Sequence, residues 1–411
     1  MTFFRLAGLT TAAALASSAA WAGCDIPGGD VRVLGNDYGS IQTLVAGAEA
    51  CAGDGVTVSA NLTTEHQSLQ VAALTADPAQ YTAAVVANSS IVPLLNNDLI
   101  RSLDDMVAQY GQDLNRNQMI TIDGHVMAVA FQANAQHLYY RSDILEQVGL
   151  PVPTTYEEVL TAAQAIRDAG IMQYPFAMNT KVGWNLAEEF VNMYLGEGGQ
   201  FFEPGSARVS INNAQGVAAL TMLRSLMAYS NPDFLTFDSN ATQALWESGQ
   251  IALATLWGSR AAGILDDEGS TEEITSHTML AAAPTVGGGS IPASTLWWDG
   301  ITIAAHVPDA DAEASFRAFM HAMSADYIAA HNNETVWLAP GYTPTPAAQG
   351  VFATANAGAL PYPMLPYMGL LHTALGDNLS EFLQGQESAE QALADAEAAY
   401  TTAARAQGFL E

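Results

Sequence analysis

The sequence predicts an α/β protein built from two domains. Three observations carry that expectation. Between residues 30 and 131 short β-rich runs alternate with helical patterns, which is how a sheet with helical connections reads in a sequence. Residues 137–170 hold the densest local signals in the chain and spell strand, helix, turn, helix. At 411 residues the chain exceeds what one hydrophobic core usually organises, so two cores are expected.

Taken in order, the chain opens on a stretch that reads as an export leader. Arg5 is a short basic region, residues 6–16 are small and apolar, and Ala20-Trp21-Ala22 fits a small-x-small cleavage rule, so residues 1–22 are expected to be removed. No later apolar run approaches the roughly 18 residues of a membrane span, and a periplasmic location follows. In such an oxidising compartment the two cysteines, Cys24 and Cys51, are expected to pair. A strand at 31–34 followed by a helix at 42–50 running back beside it returns the second cysteine to the first. Acylation of Cys24 is the competing reading. Trp21 is a poor residue for that signal, and Cys51 would be left unpaired.

Further strands are expected at 56–62, 82–87 and 126–131, giving a parallel sheet. Each ends in a polar or aromatic cluster, and in open α/β sheets ligands bind beyond the carboxyl ends of the strands. Then Leu138, Tyr139 and Tyr140 form a β-rich run, and Ser142 can cap a helix carrying Ile144, Leu145 and Val148 until Gly149 stops it. Pro151 and Pro153 hold the next link extended. Thr155 and Glu158 form a capping box, and Val159, Ala163 and Ile166 stripe one helix face until Gly170. Helices follow at 186–195, 212–229 and 237–248, then a strand at 251–256 that ends on Trp257, Gly258, Ser259 and Arg260. The Gly-rich run 284–292 reads as a linker or hinge, residues 301–305 as a strand, and 312–323 and 388–406 as helices.

The residues Tyr139, Tyr140, Asp143, Gly149, Leu150, Pro153, Tyr156, Glu157 and Glu158 resemble the signature segment of family 1 extracellular solute-binding proteins of ABC importers, the group that includes maltose-binding protein. Arg141, Ser142 and Tyr156 depart from the residues common there. The apolar strand with its Gly and Trp loop near 257, the Gly341 to Pro346 segment and the acidic, Ala-rich C-terminal helix are similar to the family as well. The resemblance implies two α/β lobes with a hinge between them, the periplasmic binding protein fold: lobe one at 23–131 plus 285–330, and lobe two at 132–284 plus 331–411. It also implies capture of a small molecule by hinge closure and docking on membrane permease subunits, by a monomer.

The charge balance, −30 with a single lysine at position 181, argues against nucleic acid and anionic lipid as partners. No Gly-rich loop with lysine, HExxH, CxxC pair or GxSxG occurs, so no cofactor, metal or nucleophile is expected and the protein is read as a receptor rather than an enzyme. The carboxylate pairs Asp104-Asp105, Glu188-Glu189, Asp266-Asp267 and Glu272-Glu273 read as solvated faces.

Aromatics are the informative class. A sugar offers an apolar C–H face and a rim of hydroxyls, so its site needs flat rings and directional polar groups in a cleft. Trp184, Trp257, Trp297 and Trp298 fall in expected loops or strand ends. Trp297 and Trp298 are adjacent and face opposite ways if extended, so one of the two sees ligand. Trp246 reads as core, and Trp337 lies near a lobe crossing. Asp299 is the foremost carboxylate for sugar hydroxyls. Asp37, Glu65, His66, Asn88, Asn134 and Tyr342 are further candidates, and Arg260 would neutralise a sugar acid. A carbohydrate receptor is the leading expectation, a polyol or sugar-acid receptor its neighbour. A secreted glycosidase using Asp299 and Glu65 is the rival from another class.

Overall fold

The computed structural model describes residues 24–53 and 55–411. The expected leader, residues 1–22, lies outside the described residues.

The first lobe begins with β1 (Gly29–Gly35), β2 (Val56–Leu62) and β3 (Ala83–Ala87), in which β1 pairs in parallel with both neighbours. The next strands are the short β4 (Met119–Ile122) and the long β5 (His125–Arg141). In the second lobe come β6 (Phe176–Ala177), β7 (Leu253–Trp257) and β8 (Thr278–Ala281). The chain then returns along β9 (Thr295–Ile303), and β10 (Leu360–Pro361) pairs with it. The strand order is β2-β1-β3-β9-β5-β7-β6.

Two strands belong to both lobes. β5 is 17 residues long and pairs antiparallel with β9 over Val129–Ala135, then with β7 and β8 over Gln136–Arg141. The expected strands at 126–131 and 138–140 are therefore one. Residues 132–136, Gln-Ala-Asn-Ala-Gln, carry no β-rich signal, yet their backbone groups are paired on β9 and β7. Of the strands expected at 31–34, 56–62, 82–87 and 126–131, the first three are parallel as β1, β2 and β3, whereas β9 and β5 join them antiparallel.

Two cores sit on either side of this shared ribbon. The first gathers Val31, Leu44, Val85, Ile301, Phe316 and Phe319. The second gathers Leu138, Tyr156, Phe190, Leu223, Leu253 and Leu393. A small junction cluster of Ala135, Val336, Ala348 and Val351 lies where the lobes meet. The expected division put 285–330 with the first lobe and 331–411 with the second. The packing puts Val286, Ala293 and Trp297 in the second core, and Trp337 and Ala339 in the first. Residues of β5 and of β9 thus pack in both cores, and between Ala339 and Tyr362 the packing passes from the first core to the second. The Gly-rich run 284–292 is a turn of the second lobe, closed by Gly289 N–H donating to Val286 and Ala293 N–H donating to Pro284.

Local signals act as read. The capping box at Thr155 and Glu158 is formed, and Val159, Ala163 and Ile166 on helix Tyr156–Asp168 are buried. Trp246 is buried in a third cluster. Gly341, at φ +89, approaches the Ala325 carbonyl so closely that a Cβ would meet its oxygen at 2.3 Å, so only glycine fits there.

Cys24 and Cys51 form a disulfide with a Cα–Cα distance of 5.4 Å, tying the segment before β1 to the residues after helix Gly39–Glu49. Replacing both by serine is expected to lower unfolding free energy by about 3 kcal/mol, measured by urea denaturation. An unchanged midpoint would mean the crosslink adds nothing to this lobe.

Candidate functional site

The carboxyl ends of β1, β2 and β3 in the first lobe, and of β7 in the second, open on one cleft of about 880 Å³. Its wall on the second lobe is aromatic. Trp257 ends β7, and its carbonyl is held by the Tyr139 hydroxyl at 2.8 Å. Gly258 follows because a Cβ there would meet Val351 at 2.2 Å. Trp184 opens helix Trp184–Gly196 after Gly183 at φ +98. His372 fastens that corner, with Nε2 2.9 Å from the Trp184 carbonyl and Nδ1 2.9 Å from the Tyr362 hydroxyl.

Trp297 completes the wall from β9. The three indoles contact one another, with ring centroids 6.3 Å apart for Trp184 and Trp257, 5.6 Å for Trp184 and Trp297, and 5.7 Å for Trp257 and Trp297. Tyr362 lies 4.4 Å from Trp297. Trp257 and Trp297 are 8% and 6% exposed, so little more than one ring face or edge of each reaches the cleft.

The floor is polar and meets the hinge. Gln132, fully buried beside an irregularity in β5, donates from Nε2 to the Tyr38 hydroxyl and to Asp299 Oδ2, both at 2.6 Å. Its Oε1 accepts from Ser40 Oγ at 2.7 Å and from Thr335 Oγ1 at 2.8 Å. Every donor and acceptor of this amide is used. Its partners lie on the first lobe, on β9 and on the stretch leading to Ala339. Desolvation pushes the Asp299 carboxyl up to about 6, against the opposing pull of its hydrogen bonds from Gln132 and Tyr38.

Arg260 sits over the Tyr38 ring, 4.9 Å from its centroid, and its Nε is buried without a hydrogen-bond partner. Among the described residues it forms no ion pair, whereas Lys181 pairs with Asp238 at 3.4 Å. His66 on the first lobe is held neutral, its pKa lowered to about 4 by burial.

Of the residues singled out in the sequence, Trp184, Trp257, Asp299, Glu65, His66, Asn134 and Arg260 line the cleft. Asn134 also pins the loop after β7, accepting from Ser259 N–H at 3.1 Å. Trp298 does not line it. The alternation along β9 holds, but Trp297 takes the cleft side and Trp298 packs against the first core. The phase is set by the Trp297 indole N–H, which donates to Thr295 and Glu188 inside the second lobe.

Asn88 is buried with its amide on the β9 backbone, accepting from Trp298 N–H at 3.0 Å. Asp37 is exposed and accepts from Gln42. Tyr342 packs at the lobe junction. The pair Glu188 and Glu189 is not a solvated face: both are fully buried behind the aromatic wall. Sequence reasoning did not nominate Tyr38, Tyr362, His372, Lys181 or Asp238, and it left open which of Trp297 and Trp298 faces the cleft. Trp297 carried a usable signal, since one of two adjacent rings had to face in. Tyr362 and His372 carried none.

Comparison with known proteins sets this geometry in a family. The family described as bacterial extracellular solute-binding protein matches residues 34–326. A probable ABC transporter-binding protein of Deinococcus radiodurans is 30% identical over 186 residues, 43% of this chain and 42% of that protein, so the match spans less than half its length. A mannitol-binding protein of Pseudomonas aeruginosa is 24% identical over 326 residues, 72% of each chain. The maltose-bound MalE3 structure of T. maritima superimposes with a TM-score of 0.78 at 18% identity, covering 91% of this chain and 99% of that one. That likeness establishes the two-lobed fold.

Proposed function

Because the chain belongs to the bacterial extracellular solute-binding protein family, we propose that it captures a sugar or polyol between its lobes and presents it to the permease of an ABC importer. The observation that carries this reading is the wall of Trp184, Trp257 and Trp297 facing a polar floor of Asp299, Asn134 and Arg260 across one cleft. Flat rings match the C–H face of a polyhydroxylated guest, and fixed acceptors and donors match its hydroxyls. The mannitol-binding relative favours extending the guest class from sugars to linear polyols.

Capture proceeds by population shift. Ligand contacts on both lobes are complete only when the cleft is shut, so the guest stabilises the closed form by the contacts that form gains. The protein then acts as a monomeric receptor in the periplasm, delivered there by its leader. Among the described residues no helix is long and apolar enough to cross a membrane.

A thermal-shift screen over sugars and polyols tests the reading, since ligand at about 100 times its dissociation constant adds roughly 2.7 kcal/mol of stability. Silence across that panel, with a response to phosphate or peptide, would overturn the guest class. Product formed from a bound oligosaccharide, and lost on Asp299→Asn, would favour the glycosidase instead.

Acid weakens capture on this reading. With a pKa of about 6, Asp299 is an acceptor-only carboxylate at pH 7.5 and gains a proton as pH falls through 6. The bound guest favours the ionised form, so affinity is expected to be about three- to tenfold lower at pH 5 than at pH 7.5. Calorimetry on the wild type and on Asp299→Asn, which should be flat over that range, checks it.

A further inference from the structure

Behind the indole wall lies a polar group that touches neither cleft nor solvent. Glu188 and Glu189 are adjacent on helix Trp184–Gly196 and are 0% exposed. Glu188 Oε1 is 2.6 Å from Thr295 Oγ1 and 3.2 Å from Trp297 Nε1. Thr295 Oγ1 is also 2.7 Å from Trp297 Nε1 and 2.7 Å from Asn192 Oδ1.

Counting hydrogens leaves two arrangements of this cluster, and burial chooses between them. The indole N–H donates to Thr295, whose hydroxyl owns one hydrogen and faces two further oxygens. If that hydrogen goes to Asn192, the contact with Glu188 needs a hydrogen from the carboxyl group. Turning the Asn192 amide, whose Nδ2 is buried without a partner as placed, would supply one instead, so the dry, cation-free surroundings of Glu188, and not the hydrogen count, favour the protonated acid. The groups that face Glu188 are Thr295, Trp297, Asn192, Tyr362 and Glu189; those that face Glu189 are Gln136, Asn179 and Tyr156. None is a cation, and no ion pair among the described residues includes either glutamate. A buried carboxylate without a cation is far costlier than the neutral acid.

We propose that Glu188 is a positioning residue that keeps its proton at neutral pH and, through Thr295, locks the Trp297 indole with its N–H inward and its ring toward the guest. This rests on the capture reading for its consequence in binding, but not for the state of the cluster. Burial also holds Glu189 protonated up to about pH 8, and its charge, once formed, raises Glu188 further.

The test uses the full chain with two readouts. The first is near-UV circular dichroism of the ligand-free protein from pH 4 to 9.5, with Trp297→Phe identifying the indole's share. The second is calorimetric affinity for D-mannitol and for maltose. Glutamine at 188 supplies the N–H that the acid supplies as O–H, so Glu188→Gln is expected to keep the Trp297 signal and affinity at pH 7 within about twofold, while Glu188→Ala loses about tenfold or more.

The wild-type signal should hold from pH 4 to 7 and decline toward pH 9.5, and Glu188→Gln/Glu189→Gln should stay flat. Should Glu188→Gln disrupt the indole as much as Glu188→Ala, the proposal is overturned. It is equally overturned if the wild type titrates between pH 4 and 6 and Glu188→Gln abolishes that step. If Glu188→Ala does not fold, the comparison of Glu188→Gln with wild type still decides. If neither guest binds the wild type while the indole signal follows the expected profile, mannitol and maltose are excluded as guests and the assignment of Glu188 stands.

Discussion

Replacing Trp257 by alanine is expected to weaken binding of the sugar or polyol guest by roughly 30- to 150-fold, about 2–3 kcal/mol, because a desolvated ring in a contact surface carries a large share of binding energy. Trp257 contacts both other indoles of the wall, and its carbonyl is fixed by Tyr139. Since it is only 8% exposed, part of the loss will appear as stability. Urea denaturation of the ligand-free variant separates the two effects, and Trp257→Phe, which keeps a ring face, should recover most of the affinity. If Trp257→Ala binds within twofold of wild type, the wall is core packing and the capture reading loses its main support.

The second large effect is expected at Gln132. Replacing it by leucine leaves the Ser40 and Thr335 hydroxyls without their acceptor, and Tyr38 and Asp299 without their donor. Each stranded buried polar group costs about 1–3 kcal/mol, relieved in part where water can enter from the cleft. A loss of about 3 kcal/mol or more in unfolding free energy is therefore expected. The Asp299 pKa should also rise further, since the Gln132 hydrogen bond is one of the two forces pulling it down. Both are measurable, by denaturation and by the pH dependence of guest affinity. A destabilisation under 1 kcal/mol with an unmoved pH profile would show that the amide does not hold the floor and hinge together.

The agreement between sequence and structure follows from the range of the signals. Thr155, Glu158 and the stripe of Val159, Ala163 and Ile166 act within one or two helical turns, and they form as read. The disulfide was legible because the compartment left the two cysteines one partner each, and the intervening strand and helix bring the ends together. The family was legible because the signature segment keeps its order and spacing. What failed was longer in range. The stretch 132–136 is extended only because β9 and β7 offer backbone partners, and nothing in its own composition says so.

The same division runs through the site. The sequence nominated Trp184, Trp257, Asp299 and Arg260 from their places at element ends, and the cleft gathers all four. It also stated that Trp297 and Trp298 face opposite ways. Which of them faces in depends on Thr295 and on Glu188, more than a hundred residues earlier in the chain.

The amino-acid sequence on its own thus determined the α/β class, the helix starts and stops, the crosslink and the family, since each rests on spacing within a short segment or on residue types that chemistry restricts. The tertiary structure alone decided which residues of β5 and β9 pack in each core, which indole lines the cleft, and that Glu188 and Glu189 lie buried behind it. Those outcomes follow from register and burial, which are fixed by partners distant in the chain and leave no periodic mark in the residues themselves.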